Sequence, residues 1–157
     1  MINILLYAPE YRPNLSSMIR SAEFFGLQTV YLYDRNTLLE PPKNKATRAD
    51  MNHLARVWTA GAIEHITIEQ VVEPLTFLSK YAGRKVATQV SSSAQHLSQF
   101  QFQPNDLLLM GSEREGLPEA IIAVCDEAIY IPALGHTPCL NVAVSLGIIL
   151  YAAKQQV

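Results

Sequence analysis

"MINILLYAPEYRPNLSSMIRSAEFFGLQTVYLYD", residues 1–34, is the stretch from which the fold is read. Ile2–Ala8 is an unbroken apolar run, the pattern of a strand buried on both faces. Thr29–Asp34 is a second run, rich in β-branched and aromatic residues. Between them Leu15, Met18, Ile19, Ala22 and Phe25 recur at helical spacing. Asn14 can cap a helix starting at Leu15, and Gly26 can close it. Strand, helix and strand in this order predict a right-handed βαβ crossover between parallel strands.

The alternation continues outward. Strands are expected at 65–68 ("HITI"), 85–90 ("KVATQV"), 106–111 ("DLLLMG") and 127–132 ("EAIYIP"), with helices at 47–60, 69–81, 118–124 and 141–155. The fold class is α/β, a mostly parallel sheet with helices on both faces. In such sheets ligands bind beyond the carboxyl ends of the strands, here the loops near 8–14, 88–93, 111–117 and 132–140. A chain of 157 residues without internal repeat, low-complexity tract or long linker is expected to form a single domain, 1–157.

Composition narrows the class of function. With 49% hydrophobic and 17% charged residues the chain reads as globular. The first residues lack the basic start of a secretory leader, and the apolar run from Val142 to Ala153 is too short for a bilayer, so no membrane is expected. Cys125 and Cys139 then read as reduced thiols of a cytoplasmic protein. A net charge of −2 and a pI near 6.1 argue mildly against a free-standing nucleic-acid binder, which usually shows a basic excess. Residues 1–56 nevertheless hold seven Lys/Arg (Arg12, Arg20, Arg35, Lys43, Lys45, Arg48, Arg56) against five acids. An electropositive face, if present, comes from this third; a solvated loop at 40–48 would look the same.

Three strand-end segments carry the chemistry. In "GSEREGL", 111–117, Gly111 permits close backbone approach and Gly116 can take a positive φ. Glu113 stands between them, where a plain turn more often has Asn or Asp. Neither G-x-G-x-x-G nor the phosphate-binding G-x-x-x-x-G-K-[ST] occurs. On the first helix Ser16, Ser17, Arg20 and Glu23 are read as one polar face, and an Arg20–Glu23 surface pair explains the arginine without function. In "YIPALGHTPCLNVAVS" Asn141 can cap the last helix, which is sufficient reason for an asparagine there. That helix has no polar stripe, so it is expected to be buried.

Together, N-x-x-x-x-x-R (Asn14, Arg20), G-x-E-x-x-G (Gly111, Glu113, Gly116) and I-P followed by L-N-V (Ile131, Leu140, Asn141) resemble the SpoU-type, or TrmH-like, branch of the SPOUT superfamily. The resemblance covers the whole chain and leaves no room for an appended RNA-binding domain. It implies an S-adenosylmethionine-dependent RNA ribose 2′-O-methyltransferase with a C-terminal trefoil knot, acting as a homodimer on tRNA in preference to rRNA. The cofactor would lie on Ala87, Thr88 and Gln89, on Gly111, Glu113 and Gly116, and on Ile131, Cys139 and Leu140. Arg20, Asn14, Glu113 and Asn141 would form the catalytic set, with Asn14 and Glu113 holding Arg20. One face of the last helix would pack on the partner subunit.

A ribose hydroxyl is a weak nucleophile, so its proton must be taken or its developing charge supported. A guanidinium is protonated, so Arg20 is suited to supporting the oxyanion and contacting phosphate. No metal is needed, and no His/Cys cluster has ligand spacing. Two positions depart from the family pattern: Ser16 stands where glycine is usual, and Cys139 where serine is usual. With the acidic balance they leave open a non-catalytic knotted RNA-binding or partner subunit. A second rival is an unrelated flavodoxin-like nucleotide binder, against which the absent glycine fingerprints count. An rRNA methyltransferase is the alternative within the family.

Overall fold

The computed structural model describes residues 1–40 and 48–157. Among these, seven strands form one sheet: β1 Asn3–Tyr7, β2 Thr29–Tyr33, β3 Thr67–Gln70, β4 Lys85–Thr88, β5 Gln95–His96, β6 Leu107–Met110 and β7 Glu127–Tyr130. Every pairing is parallel, in the order β3-β2-β1-β6-β4-β7-β5. The helices are α1 Arg12–Phe24, α2 Arg48–Trp58, α3 Pro74–Lys80, α4 Glu119–Ile122 and α5 Val142–Lys154.

Period-two alternation sorts the core. In the central pair β1–β6, Ile4, Leu6, Leu108 and Met110 face the layer of α1 and α5, with Leu15, Met18, Ile19, Leu146, Ile149 and Leu150. Leu5, Leu107 and Leu109 face the other way, toward Leu78 of α3 and Ile121 of α4. Both faces are covered, so the central strands read as continuous apolar runs rather than alternating ones. Each such side chain taken from water contributes about 1.5–3 kcal/mol.

Several boundaries differ from the sequence reading, each for a local reason. α1 starts at Arg12, with Tyr11 as its N-cap residue and Pro13 in the first turn, where the missing N–H costs nothing. Asn14 is therefore inside the helix and is not its cap. β3 begins at Thr67, because Gly61 in the left-handed region opens a 3-10 turn over Ala62–Glu64. Glu69 and Gln70 pair with Tyr31 and Leu32, so the helix expected from 69 starts only at Pro74. The helix expected at 118–124 is one turn, Glu119–Ile122. β5, two residues long, has no sequence signal. Of the helix expected at 47–60, Arg48–Trp58 forms, while Thr47, Lys43 and Lys45 lie outside the described residues.

α5 follows its sequence reading closely, and Asn141 does cap it: Oδ1 accepts from Ala143 N (2.8 Å) and Val144 N (3.3 Å). Its apolar surface is divided. Leu146, Ile149, Leu150 and Ala153 are buried, whereas Val144, Ile148 and Tyr151, spaced at i, i+4 and i+7, are 51%, 40% and 61% exposed. No helix among the described residues is long and apolar enough to cross a membrane.

The topology also locates a crevice. From β1 the chain moves outward to β2 and β3, then returns to fill the opposite half with β4 to β7. The loops after β1 and β6 meet where the direction reverses, the usual ligand position in an open parallel sheet.

Candidate functional site

The loop after β6 closes on itself. Ser112 N donates to Gly116 O (3.2 Å), Gly116 N to Ser112 O (3.0 Å), and Glu115 N to Ser112 Oγ (3.3 Å). Gly116 takes φ +66°, as its place in the turn suggested. A Cβ on Gly111 would run into the backbone of Gly116 and Leu117. The close backbone approach that Gly111 permits is thus made by the return of its own loop.

This closed turn holds Glu113 against the start of α1. Oε2 accepts from Glu10 N (2.7 Å), and Oε1 accepts from Tyr11 N (3.2 Å) and Asn14 Nδ2 (2.9 Å). Tyr11 has no side-chain capping bond of its own. A carboxylate from the neighbouring loop meets the positive end of the helix instead. With its amide committed to Glu113, Asn14 offers Oδ1 to Asn141 Nδ2 (3.1 Å), while Asn141 Oδ1 caps α5. Glu113, Asn14 and Asn141 therefore form one hydrogen-bonded chain that ties the β6 loop, α1 and α5 together.

Arg20 stands apart from that chain. It is exposed on α1 and makes no hydrogen bond or ion pair with any described residue, so neither the pair with Glu23 nor the expected hold by Asn14 and Glu113 forms within one chain. Six residues of helix rotate it about 120° from Asn14. Ser16, read as part of the same polar face, is instead buried at 9% exposure, whereas Ser17 is exposed. Beside them a groove of about 550 Å³ runs between α1 and α5, lined by Asn14, Ser17, Ser21, Asn141, Val144 and Ile148 among others.

The loops after β4 and β7 complete the rim. Thr88 Oγ1 donates to Leu109 O (2.8 Å) and Gln89 N to Ile129 O (3.0 Å), lacing β4 to its two neighbours, while Ala87 is fully buried. Ile131 packs against the core. From Ala133 to Leu140 every residue is exposed, and no backbone group of residues 132–140 bonds to another described residue. Buried backbone polar groups are normally paired within the protein, whereas those of an exposed loop bond to water and remain available to a ligand. A run of unpaired amides and carbonyls beside two other strand ends fits a ligand gripped by main chain. Pro138 removes one donor from that run, and Cys139 is exposed within it.

Sequence reading missed the support behind β1. Ala8 has φ +49°, a left-handed conformation costing a residue with a Cβ roughly 1–2 kcal/mol. Asn36 Nδ2 donates to Ala8 O (3.3 Å) and Pro9 O (2.9 Å), holding the bend that carries Glu10 and Tyr11 to Glu113. Asn36 looked like an ordinary turn residue, and its role depends on a loop 28 positions away. Burial pushes the Cys125 thiol up to about 11, making it an inert packing group. No group of three or more His, Cys, Asp or Glu among the described residues could hold a metal ion.

The model of the SpoU rRNA methylase family matches residues 1–151. A tRNA (guanosine(18)-2′-O)-methyltransferase of Aquifex aeolicus is 28% identical over 146 residues, which are 91% of this chain and 64% of the relative. The chain thus spans under two thirds of that protein. A tRNA (cytidine(34)-2′-O)-methyltransferase of Beijerinckia indica is 27% identical over 161 residues, covering 98% of this chain and 91% of the relative. Among solved structures, the A. aeolicus TrmH/SpoU tRNA modifying enzyme superposes with a TM-score of 0.81 at 26% identity, over 99% of this chain and 74% of that one.

Proposed function

This chain belongs to the SpoU rRNA methylase family, and from that membership we propose that it is an S-adenosylmethionine-dependent RNA ribose 2′-O-methyltransferase acting on tRNA. The observation that carries the reading is the chain Glu113–Asn14–Asn141, which draws all three motif segments to one crevice. tRNA is favoured over rRNA because the relative spanned over 91% of its length is named for cytidine 34 of tRNA.

When bound, S-adenosylmethionine supplies the electrophilic methyl group. The exposed backbone around Ile131, Cys139 and Leu140, with Ala87–Gln89 and with Gly111, Glu113 and Gly116, would hold it. Glu113, Asn14 and Asn141 lock α1 against the two cofactor loops and so fix the helix bearing Arg20. Arg20, unpartnered among the described residues, orients the RNA and supports negative charge developing on the 2′-oxygen. The knotted course of the C-terminal segment and a cytoplasmic location belong to the same proposal. So does a homodimer built on Val144, Ile148 and Tyr151, supported by their exposure on an otherwise apolar helix. Light scattering is then expected to give twice the 17.5 kDa chain mass, and a monomer at micromolar concentration would contradict the dimer.

The test compares wild type, Arg20→Ala and Glu23→Ala. Calorimetry is expected to give the same S-adenosylmethionine affinity for all three. In single-turnover transfer to unmodified tRNA, Arg20→Ala should be slower by roughly 10²–10³-fold, the usual loss when one charge-stabilising donor is removed. Glu23→Ala should match wild type. Equal rates for all three would remove Arg20 from the mechanism and favour a non-catalytic binder.

A further inference from the structure

Two side chains at the mouth of the crevice take no part in the Glu113–Asn14–Asn141 chain. Tyr11 has its amide fixed to Glu113, yet the residue is 45% exposed. Arg114 follows Glu113 directly. Its guanidinium lies 6.0 Å from the centroid of the Tyr11 ring, and Nη2 donates to the Tyr11 hydroxyl at 3.0 Å. The side chain of Arg114 is 73% exposed. On the neighbouring loop after β2 stands Arg35, 43% exposed and 3.6 Å from Glu115.

We infer that Tyr11 and Arg114 form the nucleotide clamp of this site. The Tyr11 ring stacks on a base next to the ribose being methylated, the Arg114 guanidinium takes a phosphate of the same strand, and Arg35 takes a second. The inference rests on the RNA reading given above and names the residues that hold the strand. RNA loops and single strands are recognised through bases stacked on aromatic rings, with arginine on the backbone. This pair offers both chemistries side by side, on a backbone fixed by the carboxylate that anchors α1.

The carboxylates nearby set the character of the clamp. Arg114 Nε stands 3.9 Å from Glu10 Oε2, which also accepts from the Arg114 amide at 3.1 Å, and Arg35 faces Glu115. The Arg35–Glu115 pair is exposed on both sides and therefore weak, and the Arg114–Glu10 contact is long, with Glu10 itself only 20% exposed. A phosphate that offers a bidentate match can draw either guanidinium away from its carboxylate. Two cations against three acids, Glu10, Glu113 and Glu115, produce no long-range attraction for a polyanion. The clamp therefore acts on contact, which suits a chain with a net charge of −2.

Binding to total unmodified tRNA, followed across a salt series, tests the clamp without relying on catalysis. S-adenosylmethionine calorimetry and methyl transfer run in parallel on the same proteins. Tyr11→Ala is expected to weaken tRNA binding roughly 5- to 100-fold, the range for loss of one stacked base. Tyr11→Phe, which keeps the ring, should stay within about twofold of wild type. Arg114→Ala should make the slope of log affinity against log salt shallower by about 0.7–0.9, one phosphate contact. S-adenosylmethionine affinity should not change in any variant. Both side chains are exposed, so the variants are expected to fold, and coincident thermal melts check this. Wild-type affinity and slope in Tyr11→Ala and Arg114→Ala overturn the clamp, as does a wild type that binds no RNA. A wild type that shows these dependences yet transfers no methyl group upholds the clamp and overturns the methyltransferase reading.

Discussion

The loops at 111–117 and 132–140 both leave the carboxyl end of a sheet strand, but they handle their backbone in opposite ways. The first turns back on itself through paired amides and carbonyls, and even a methyl group at Gly111 would collide with its return. The second leaves the surface with no backbone group bonded to a described residue, and nothing lies within 4 Å of a Cβ placed at Gly135. A closed loop is a scaffold: it fixes Glu113, and through it the start of α1. An open loop presents solvated donors and acceptors that a ligand can take over from water. Glycine content alone does not distinguish them, because both loops contain it.

Substitutions can break this contrast, and the largest effect belongs to the closed loop. Gly111→Val should lower unfolding free energy by ~3 kcal/mol or more, or prevent folding, because the collision is with main chain rather than with a movable side chain. Gly135→Ala should stay within about 0.5 kcal/mol of wild type in thermal or urea melts. Equal losses at the two glycines would erase the distinction. Next comes Glu113→Ala, which strips three bonds from a carboxylate and leaves Glu10 N, Tyr11 N and Asn14 without their acceptor. A loss of about 2–3 kcal/mol is expected, seen as a melting shift of roughly 4–10 °C. Asn141→Ala should cost about 1 kcal/mol as a lost cap, and Asn141→Ser should recover most of it in the same melts.

The mildest probe is chemical. At pH 8 iodoacetamide should label exposed Cys139 well before Cys125, whose thiol is half-buried and shifted up to about 11. Saturating S-adenosylmethionine should slow labelling of Cys139 and leave Cys125 as it was. Unchanged labelling of Cys139 would take the cofactor off the open loop.

Local signals carried much of this architecture, and its limits are physical. β1 and β6 were legible because burial on both faces writes apolar runs, β2 because of its β-branched and aromatic residues, and α5 because of its long apolar stretch; Asn141 was legible because it caps a helix one residue away. Asn14 looked like a cap for the same reason and is not one. The acceptor at the start of α1 comes from Glu113, about a hundred positions along the chain, so local spacing could not identify it. β5 is too short to show a period, and β3 is displaced by a turn that depends on one left-handed glycine. Three motif residues were identified before their contacts were known, yet the reason for Gly111 and the isolation of Arg20 appeared only with the loop and helix in place. Tyr11, Arg114 and Asn36 gave no signal of their own, since an exposed aromatic, a loop arginine and a turn asparagine are each ordinary.

The most direct test of the central claim is to incubate the purified protein with unmodified tRNA and S-adenosylmethionine carrying a labelled methyl group, digest the RNA to nucleosides, and analyse them by mass spectrometry. The expected result is label on the ribose of a 2′-O-methylated nucleoside, strongly reduced with Arg20→Ala. Label on a base, or none on tRNA and rRNA alike from a folded protein, would contradict it.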